Sequence, residues 1–352
     1  MIQYSQQLQD ASLAIRPNLL KWLPAKPAFG YDPSISKLAE LRSWQKRGRK
    51  QFDACLGDPI PSVTPRPKVL EKEQLEGYKR ITFTMATAPS LRALCWLLLP
   101  DGASSSSPLP AMIATPGHGI GAKDILAMDP SGKPRPQGQG YQKDYALQAL
   151  DWGAAVLVIE PLGFGERRDA AMLSTKTQES GCQAAATLAT MLGTTLARIR
   201  MNDLICGLDH LQSLPQIDPD RIGIMGISGG GQMSLWTAAI ETRLKLAVVS
   251  GYLNSFQDSV MGMHHCICNF VPGLARDFDM TDLAMLAAPN PLLIESGTRD
   301  NIFPIKASKA AAARLRRYYK AMGFTDRIEL DVFEGEHQWS GKKLSKFLDA
   351  HL

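Results

Sequence analysis

A serine flanked by glycines is the first feature of the sequence that could carry chemistry. Residues 218–231 contain the pattern G-x-S-x-G at Gly226, Ser228 and Gly230. A strand-like apolar run precedes this pattern and a helical pattern follows it, so the serine is predicted at a sharp strand-to-helix turn that exposes its hydroxyl. A phosphate-binding turn is the alternative, but the P-loop lysine and the G-x-G-x-x-G spacing are both absent. The pattern therefore predicts that Ser228 is a nucleophile.

Two further side chains could activate this serine. A serine hydroxyl needs a base to take its proton, and the base needs an acid to orient it. In proteins with this turn the acid and then the base follow the serine along the chain. His337 lies directly after the predicted strand 328–333, and Asp300 lies in the loop after the preceding strand. These residues are the predicted base and acid, with Glu295, at the end of that preceding strand, as the alternative acid.

Backbone N–H groups that stabilise a developing oxyanion are expected in two places. The amide of Gly229 directly follows the serine and is the first predicted donor. The second donor is expected in the loop 116–121, after the predicted strand 111–115, and the amide of His118 is favoured there. The sequence leaves open whether the His118 side chain lines an acyl pocket or packs the loop.

The segment 261–270 is unusual because it contains adjacent histidines and two cysteines. Such side chains could bind a metal ion, but no second Cys or His pair lies at a matching spacing elsewhere. Neither a metal nor a cofactor is therefore predicted. The favoured interpretation is a wall of the substrate pocket, in which methionine and phenylalanine supply apolar surface. Met261, His264, His265 and Phe270 are the predicted substrate contacts.

Composition and charge exclude several classes of protein. The 352 residues are 45% hydrophobic and 21% charged, which is typical of a globular chain. The apolar runs are too short to cross a bilayer and the first residues lack the pattern of a secretory signal, so a cytoplasmic location is expected. The net charge is +5, and the basic run 46–50 is interpreted as a solvated helix face. The six scattered cysteines do not suggest a disulfide framework.

The elements that must position these residues alternate along most of the chain. Short apolar strands alternate with helical patterns, which predicts the α/β class with a mostly parallel central sheet flanked by helices. The predicted strands are residues 80–85, 91–99, 111–115, 154–160, 222–225, 244–250, 291–295 and 328–333. The predicted helices are residues 35–52, 141–151, 183–214 with a break near 193, 232–241, 305–321 and 342–352. The first two strands are expected to form a hairpin.

The same patterns divide the chain into two parts. Residues 1–60 predict an N-terminal helical extension, and residues 61–352 predict a catalytic domain. Within this domain, residues 166–190 lack a clean period and are rich in small and polar side chains. This segment is expected to form a flap over the site or an interface.

These motifs resemble the acetyl-xylan-esterase-like and dienelactone-hydrolase-related branch of the α/β-hydrolase superfamily. The resemblance covers residues 78–352 and is carried by residues 116–119, 161–166, 218–231, 297–304 and 335–337. It implies the α/β-hydrolase fold, a triad of Ser228, Asp300 and His337, and hydrolysis of small acyl esters, often acetylated sugars. The chain departs from the branch at Pro116, where a histidine is usual. It also has serine where dienelactone hydrolases use cysteine, so a dienelactone substrate is not expected.

The sequence thus predicts a serine carboxylic ester hydrolase that acts through an acyl-enzyme and without a metal. A peptidase or amidase on the same fold is one alternative, although nothing before Tyr78 looks like an oligopeptidase propeller. A noncatalytic binding protein on this fold is another, although such proteins usually lack a triad member. The expected partner is a small-molecule ester, and neither nucleic acid nor membrane is expected. A homo-oligomer stays open.

Overall fold

A single mixed sheet runs through the computed structural model of the chain, which describes residues 15–169, 172 and 179–352. The strands of this sheet are β1 (Lys68–Leu75), β2 (Tyr78–Ala88), β3 (Leu91–Pro100), β4 (Leu109–Thr115), β5 (Ala155–Ile159), β6 (Ile217–Ile227), β7 (Ala247–Ser250), β8 (Leu292–Gly297) and β9 (Ile328–Phe333). Their order is β1-β2-β3-β5-β4-β6-β7-β8-β9. The β1–β2, β2–β3 and β3–β5 pairs are antiparallel, and the pairs from β5 onward are parallel.

The parallel half of the sheet is covered on both faces. Alternate residues of β4 belong to two hydrophobic clusters, Ala111 and Ile113 to one and Met112 and Ala114 to the other. Every residue of β5 is buried as well. Continuous apolar strands of this kind are typical of parallel sheets between helical layers. The predicted α/β fold, with a mostly parallel central sheet flanked by helices, is confirmed.

Helices connect most of these strands. The described helices are α1 (Ile15–Leu19), α2 (Leu38–Cys55), α3 (Ala122–Ile125), α4 (Tyr145–Asp151), α5 (Cys182–Met191), α6 (Leu196–Gln212), α7 (Gly229–Ile240), α8 (Leu274–Asp277), α9 (Met280–Ala287), α10 (Ile305–Ala321) and α11 (Leu344–His351). The long helical pattern predicted at 183–214 is divided near Gly193 into α5 and α6, as expected. Across the described ranges, no helix is both long and apolar enough to cross a membrane.

Strand β1 was not predicted from the sequence. Its residues, KVLEKEQL, are mostly exposed, and it forms an edge of the sheet next to β2. Charged side chains on an edge strand discourage pairing with another chain. They also remove the alternation of apolar and polar residues by which a half-buried strand is predicted.

The described part of the predicted N-terminal extension shares the main core. Helix α2 buries Leu41, Trp44 and Phe52. The ring of Phe52 meets Trp236 of helix α7 edge-on, with 5.6 Å between ring centroids. The extension therefore supports the helix that begins at the predicted nucleophile.

The predicted flap or interface segment, residues 166–190, is described only in part, because residues 170, 171 and 173–178 lie outside the described ranges. At its start, the buried Arg167 Nη1 lies 2.5 Å from Asp203 Oδ2 of helix α6 and also donates to the carbonyl of Glu160. At its end, helix α5 begins at Cys182. Both described ends of the segment therefore contact the folded domain.

Candidate active site

Ser228 occupies a strained turn between strand β6 and helix α7. Its φ and ψ are 56° and −120°, in a region that side chains other than glycine rarely adopt. The turn is held by a 2.9 Å hydrogen bond from the Ser228 amide to the carbonyl of Ser250. A Cβ at Gly226 would overlap the backbone of Gly230, and a Cβ at Gly230 would overlap the carbonyl oxygen of Thr115. Both flanking positions therefore need glycine for steric reasons.

His337 and Asp300 form a hydrogen-bonded pair. Asp300 Oδ2 lies 2.8 Å from His337 Nδ1, and the Asp300 side chain is only 1% exposed. The other carboxylate oxygen accepts hydrogen bonds from the amides of Ile302 at 2.8 Å and Phe303 at 2.9 Å. His337 Nε2 is buried and has no hydrogen-bond partner within the described ranges. The pair can therefore hold the proton on Nδ1 and leave Nε2 free to accept one.

Glu295, the alternative acid, contacts a different part of the chain. Its carboxylate accepts hydrogen bonds from the amides of Ser340 at 3.1 Å and Gly341 at 2.8 Å. Complete burial raises the pKa of Glu295 to about 7. The carboxyl ties strand β8 to the loop that carries His337, whereas Asp300 makes the contact with the imidazole.

Ser228 and His337 line one cavity of about 350 Å³. The other residues that line it are His118, Tyr141, Met263, His264, His265, Cys266 and Ile302. The predicted contacts His264 and His265 thus line the same cavity as Ser228. Burial lowers the pKa of His265 to about 4, so its imidazole is neutral at neutral pH.

Two of the predicted substrate contacts lie elsewhere, and this part of the prediction is corrected. Met261 and Phe270 line a second depression, together with Trp22, and do not line the cavity at Ser228. The 3-10 turn Ile267–Asn269 separates Cys266, in the wall of the first cavity, from Phe270, in the wall of the second. A pattern of residue types could not reveal that the two ends of this segment line different cavities.

The loop predicted to supply an oxyanion donor passes directly beside Ser228. A Cβ at Gly117 would lie 3.2 Å from the Cβ of Ser228. The amide of Gly117 donates to Gln142 Oε1 at 2.8 Å, and the hydroxyl of Tyr141 donates to the carbonyl of His118. Tyr141 and Gln142 were not predicted as site residues because the sequence placed them in a helix 141–151, whereas α4 begins at Tyr145 and they lie in the turn before it.

Glu160 has a buried carboxyl group, as Glu295 does, but Glu160 was not predicted as a site residue. It accepts a 3.0 Å hydrogen bond from the amide of Ala122, and complete burial raises its pKa to about 7. A Cβ at Gly121 or Gly165 would overlap its carboxylate. The loop after β4 and the loop after β5 therefore close around one side chain. The signal in the sequence was a glutamate that ends an otherwise apolar strand.

Gly251 is a further residue at the site that was not predicted from the sequence. It directly follows strand β7 with a φ of 51°, and a Cβ there would lie 2.9 Å from His337 Cε1. Only glycine gives both the backbone conformation and the space that the imidazole occupies. A glycine directly after a buried strand was the available signal.

One group of side chains could hold a metal ion. Among the described residues, His118, Cys182, Cys266 and Cys268 place their ligand atoms within 4.8 Å of one another. The prediction of no metal considered only spacing along the chain. The structure joins the two cysteines of the segment 261–270 to residues that are distant in sequence.

Comparison with known proteins connects this geometry to a family. A family model described as the abhydrolase family matches residues 5–331. The chain is 28% identical over 292 residues to YtaP of Bacillus subtilis (strain 168), which is provisionally named a hydrolase. That match covers 79% of this chain and 89% of YtaP.

Solved structures of esterases have a similar fold. A protein of Bacteroides fragilis NCTC 9343, provisionally named an acetyl xylan esterase, has a TM-score of 0.75 at 20% identity, covering 90% of this chain and 80% of that chain. A glucuronoyl esterase from Solibacter usitatus has a TM-score of 0.65 at 16% identity, covering 94% and 99%. Acetyl xylan esterase 1 from Thermoanaerobacterium sp. JW/SL YS485 has a TM-score of 0.54 at 17% identity, covering 88% and 97%. Identities this low establish a shared fold.

Proposed function

The chain belongs to the abhydrolase family, and on that premise we propose that it is a serine carboxylic ester hydrolase acting on small acyl esters. One observation carries the proposal. Ser228, in a strained strand-to-helix turn, and His337, bound to Asp300 through Nδ1, line the same cavity. A nucleophile, a base and an orienting acid in this arrangement are the parts that acyl transfer requires.

The first half of the reaction forms an acyl-enzyme. His337 Nε2 takes the proton of the Ser228 hydroxyl as Oγ attacks the carbonyl carbon of the ester. Asp300 stabilises the imidazolium that results, and the amides of His118 and Gly229 donate hydrogen bonds to the oxyanion. When the tetrahedral intermediate collapses, His337 returns the proton to the departing alcohol.

The second half releases the acid. Water enters as the alcohol leaves, and His337 takes a proton from the water as its oxygen attacks the acyl carbon. The second oxyanion is stabilised by the same two amides. Collapse of this intermediate breaks the bond to Ser228 Oγ, which recovers its proton from His337. The enzyme is thereby restored, and neither step needs a metal ion.

The substrate proposed is a small acyl ester of a sugar. A cavity of about 350 Å³ is at the lower end of the range for small-molecule sites, which favours a short acyl group. His265 Nε2 is buried without a partner in the described part of the chain, so a substrate hydroxyl or carbonyl can hydrogen-bond to it. Acetyl xylan esterases and glucuronoyl esterases among the structural neighbours support a carbohydrate ester.

A substrate panel tests this proposal. p-Nitrophenyl esters of increasing acyl length, acetylated sugars and aminoacyl anilides are offered to wild type, Ser228→Ala and Ser213→Ala, the last being an exposed serine at the end of α6. Wild type and Ser213→Ala are expected to prefer acetate and to release acetate from the sugars. Ser228→Ala is expected to lose about 10⁴-fold or more in kcat. Preference for the anilides would instead identify a peptidase or amidase, and an active Ser228→Ala would contradict the mechanism.

A further inference from the structure

Three segments of the chain bring a histidine and three cysteines together beside the active site. His118 comes from the loop after β4, Cys182 begins helix α5, and Cys266 and Cys268 flank Ile267 in the segment whose Cys266 lines the cavity. All four ligand atoms lie within 4.8 Å of one another. This convergence joins residues 64 and 150 positions apart, so it is a property of the fold and not of a local motif.

The spacing of the ligand atoms matches a four-coordinate metal site. Cys268 Sγ lies 3.3 Å from His118 Nε2 and 3.3 Å from Cys266 Sγ, and Cys182 Sγ lies 3.8 Å from the same imidazole nitrogen. Around a tetrahedral zinc ion, with Zn–S of about 2.3 Å and Zn–N of about 2.0 Å, ligand atoms are about 3.5–3.8 Å apart. We propose that these four side chains form a Cys₃His zinc site.

A buried cation supplies the charge that such a site needs. Arg200 is 2% exposed. Within the described ranges, no carboxylate lies at salt-bridge distance from its guanidinium. Its guanidinium donates to Cys182 Sγ at 3.1 Å and to the carbonyl of Leu162 at 2.9 and 2.7 Å. Three thiolates on Zn²⁺ carry a net charge of about −1, which Arg200 balances. Without the thiolates, this guanidinium would be a buried charge with no counter-ion.

Two further contacts favour thiolate sulfur at these positions. Cys182 is the first residue of a ten-residue helix, where the helix dipole stabilises negative charge. Asn269 Nδ2 donates to Cys268 Sγ at 3.7 Å and to the carbonyl of Cys266 at 3.2 Å. The surroundings therefore suit bound thiolate and hold the ligand-bearing turn in place.

The proposed ion is structural. Four protein side chains fill the tetrahedral positions and leave none for water, whereas catalytic zinc sites keep a position open. Through His118 the ion would tie the oxyanion loop to helix α5 and to the cavity wall at Cys266. The His118 ring also lies against the strained turn at Ser228, since a Cβ at Gly229 would lie 3.2 Å from His118 Nδ1. The proposal concerns metal binding, which is measured without substrate and stands apart from the esterase proposal.

The first test measures metal in the wild-type protein. The chain is purified under reducing conditions without chelator, and zinc is quantified by inductively coupled plasma mass spectrometry before and after incubation with Zn²⁺. One zinc ion per chain is expected, released in step with mercurial titration of three thiols. Replacement by Co²⁺ is expected to give the visible bands of tetrahedral cobalt and an intense thiolate charge-transfer band. No stoichiometric zinc after incubation would overturn the proposal.

The second test uses single substitutions with a matched control. Cys182→Ser and Cys268→Ser are expected to weaken zinc binding at least about 100-fold, beyond the roughly 10–100-fold cost of losing an outer-shell partner. Cys55→Ser, at a half-buried cysteine of α2 outside the cluster, is expected to bind one zinc as wild type does. Circular dichroism checks that each variant folds, and for a variant that does not, the wild-type cobalt spectrum decides. Unchanged zinc affinity in folded Cys268→Ser, or equal loss in Cys55→Ser, would contradict the assignment.

Discussion

The hydrogen bond between Asp300 and His337 determines which imidazole nitrogen is left without a protein partner. Asp300 is itself fixed, because its second oxygen accepts two backbone N–H groups at 2.8 and 2.9 Å. A carboxylate held in this way accepts from Nδ1–H, and Nε2 is then unprotonated and able to take the Ser228 proton in the proposed mechanism. At the scale of single residues, the site therefore depends on the tautomer of one histidine.

Replacing that carboxylate by an amide is the sharpest test at this scale. Asp300→Asn keeps the size of the side chain but can donate to Nδ1, which stabilises the wrong tautomer. We expect kcat for p-nitrophenyl acetate to fall by about 10⁴-fold while the melting temperature changes little. The control is Glu334→Gln, an exposed partner of Arg299 in the loop before His337, which should stay within about twofold. A loss of less than tenfold in Asp300→Asn would mean that another group orients the imidazole.

At the scale of elements, loops at the ends of the parallel strands are held by buried carboxyls. Glu160, after β5, closes two loops around itself, and Glu295, in β8, accepts from the loop that carries His337. Burial raises the pKa of both groups to about 7. Each therefore keeps a proton in the folded chain at a pH where the unfolded chain has released it, so stability depends on pH.

Glu295→Gln isolates this dependence. The folded pKa of about 7 lies above the ordinary value of 4.5, so the contribution of Glu295 to stability is fully present below pH 4.5 and is lost as pH rises through 7. The free energy of unfolding of wild type, relative to Glu295→Gln, is expected to fall by roughly 3 kcal/mol between pH 4.5 and 8. Urea denaturation at several pH values measures it. A difference that stays constant or rises with pH would contradict the assignment.

The elements also show what the sequence could and could not predict. Strand β9 and helix α10 were predicted to the residue, because apolar periodicity and flanking turn residues are strong there. The proposed triad of Ser228, Asp300 and His337 was chosen from chain order, and the structure places Asp300 beside His337. The exposed strand β1 was missed because its charged residues have no buried face. The Cys₃His cluster was missed because its members lie on three segments, and their proximity depends on how the loops pack.

At the scale of the whole molecule, one sheet carries every part of the proposed chemistry at the same edge. The proposed nucleophile follows β6, the proposed acid follows β8, the proposed base follows β9, and the loop proposed to supply an oxyanion donor follows β4. These strands are parallel, so their carboxyl ends meet, and ligands bind at that edge in open α/β sheets. The abhydrolase match over residues 5–331 includes all of these strands except the end of β9. The fold therefore places Ser228 among the other residues of the proposed site.

Labelling of that serine by a fluorophosphonate probe tests the central claim most directly. Trypsin releases residues 222–243 as one peptide, which contains Ser228 and the fully buried Ser234. Fragment-ion mass spectrometry then locates the adduct, with Ser234→Ala as the matched control. We expect one adduct per chain on Ser228 in wild type and Ser234→Ala, and none in Ser228→Ala. No adduct on folded wild type, or equal labelling of Ser228→Ala, would contradict it.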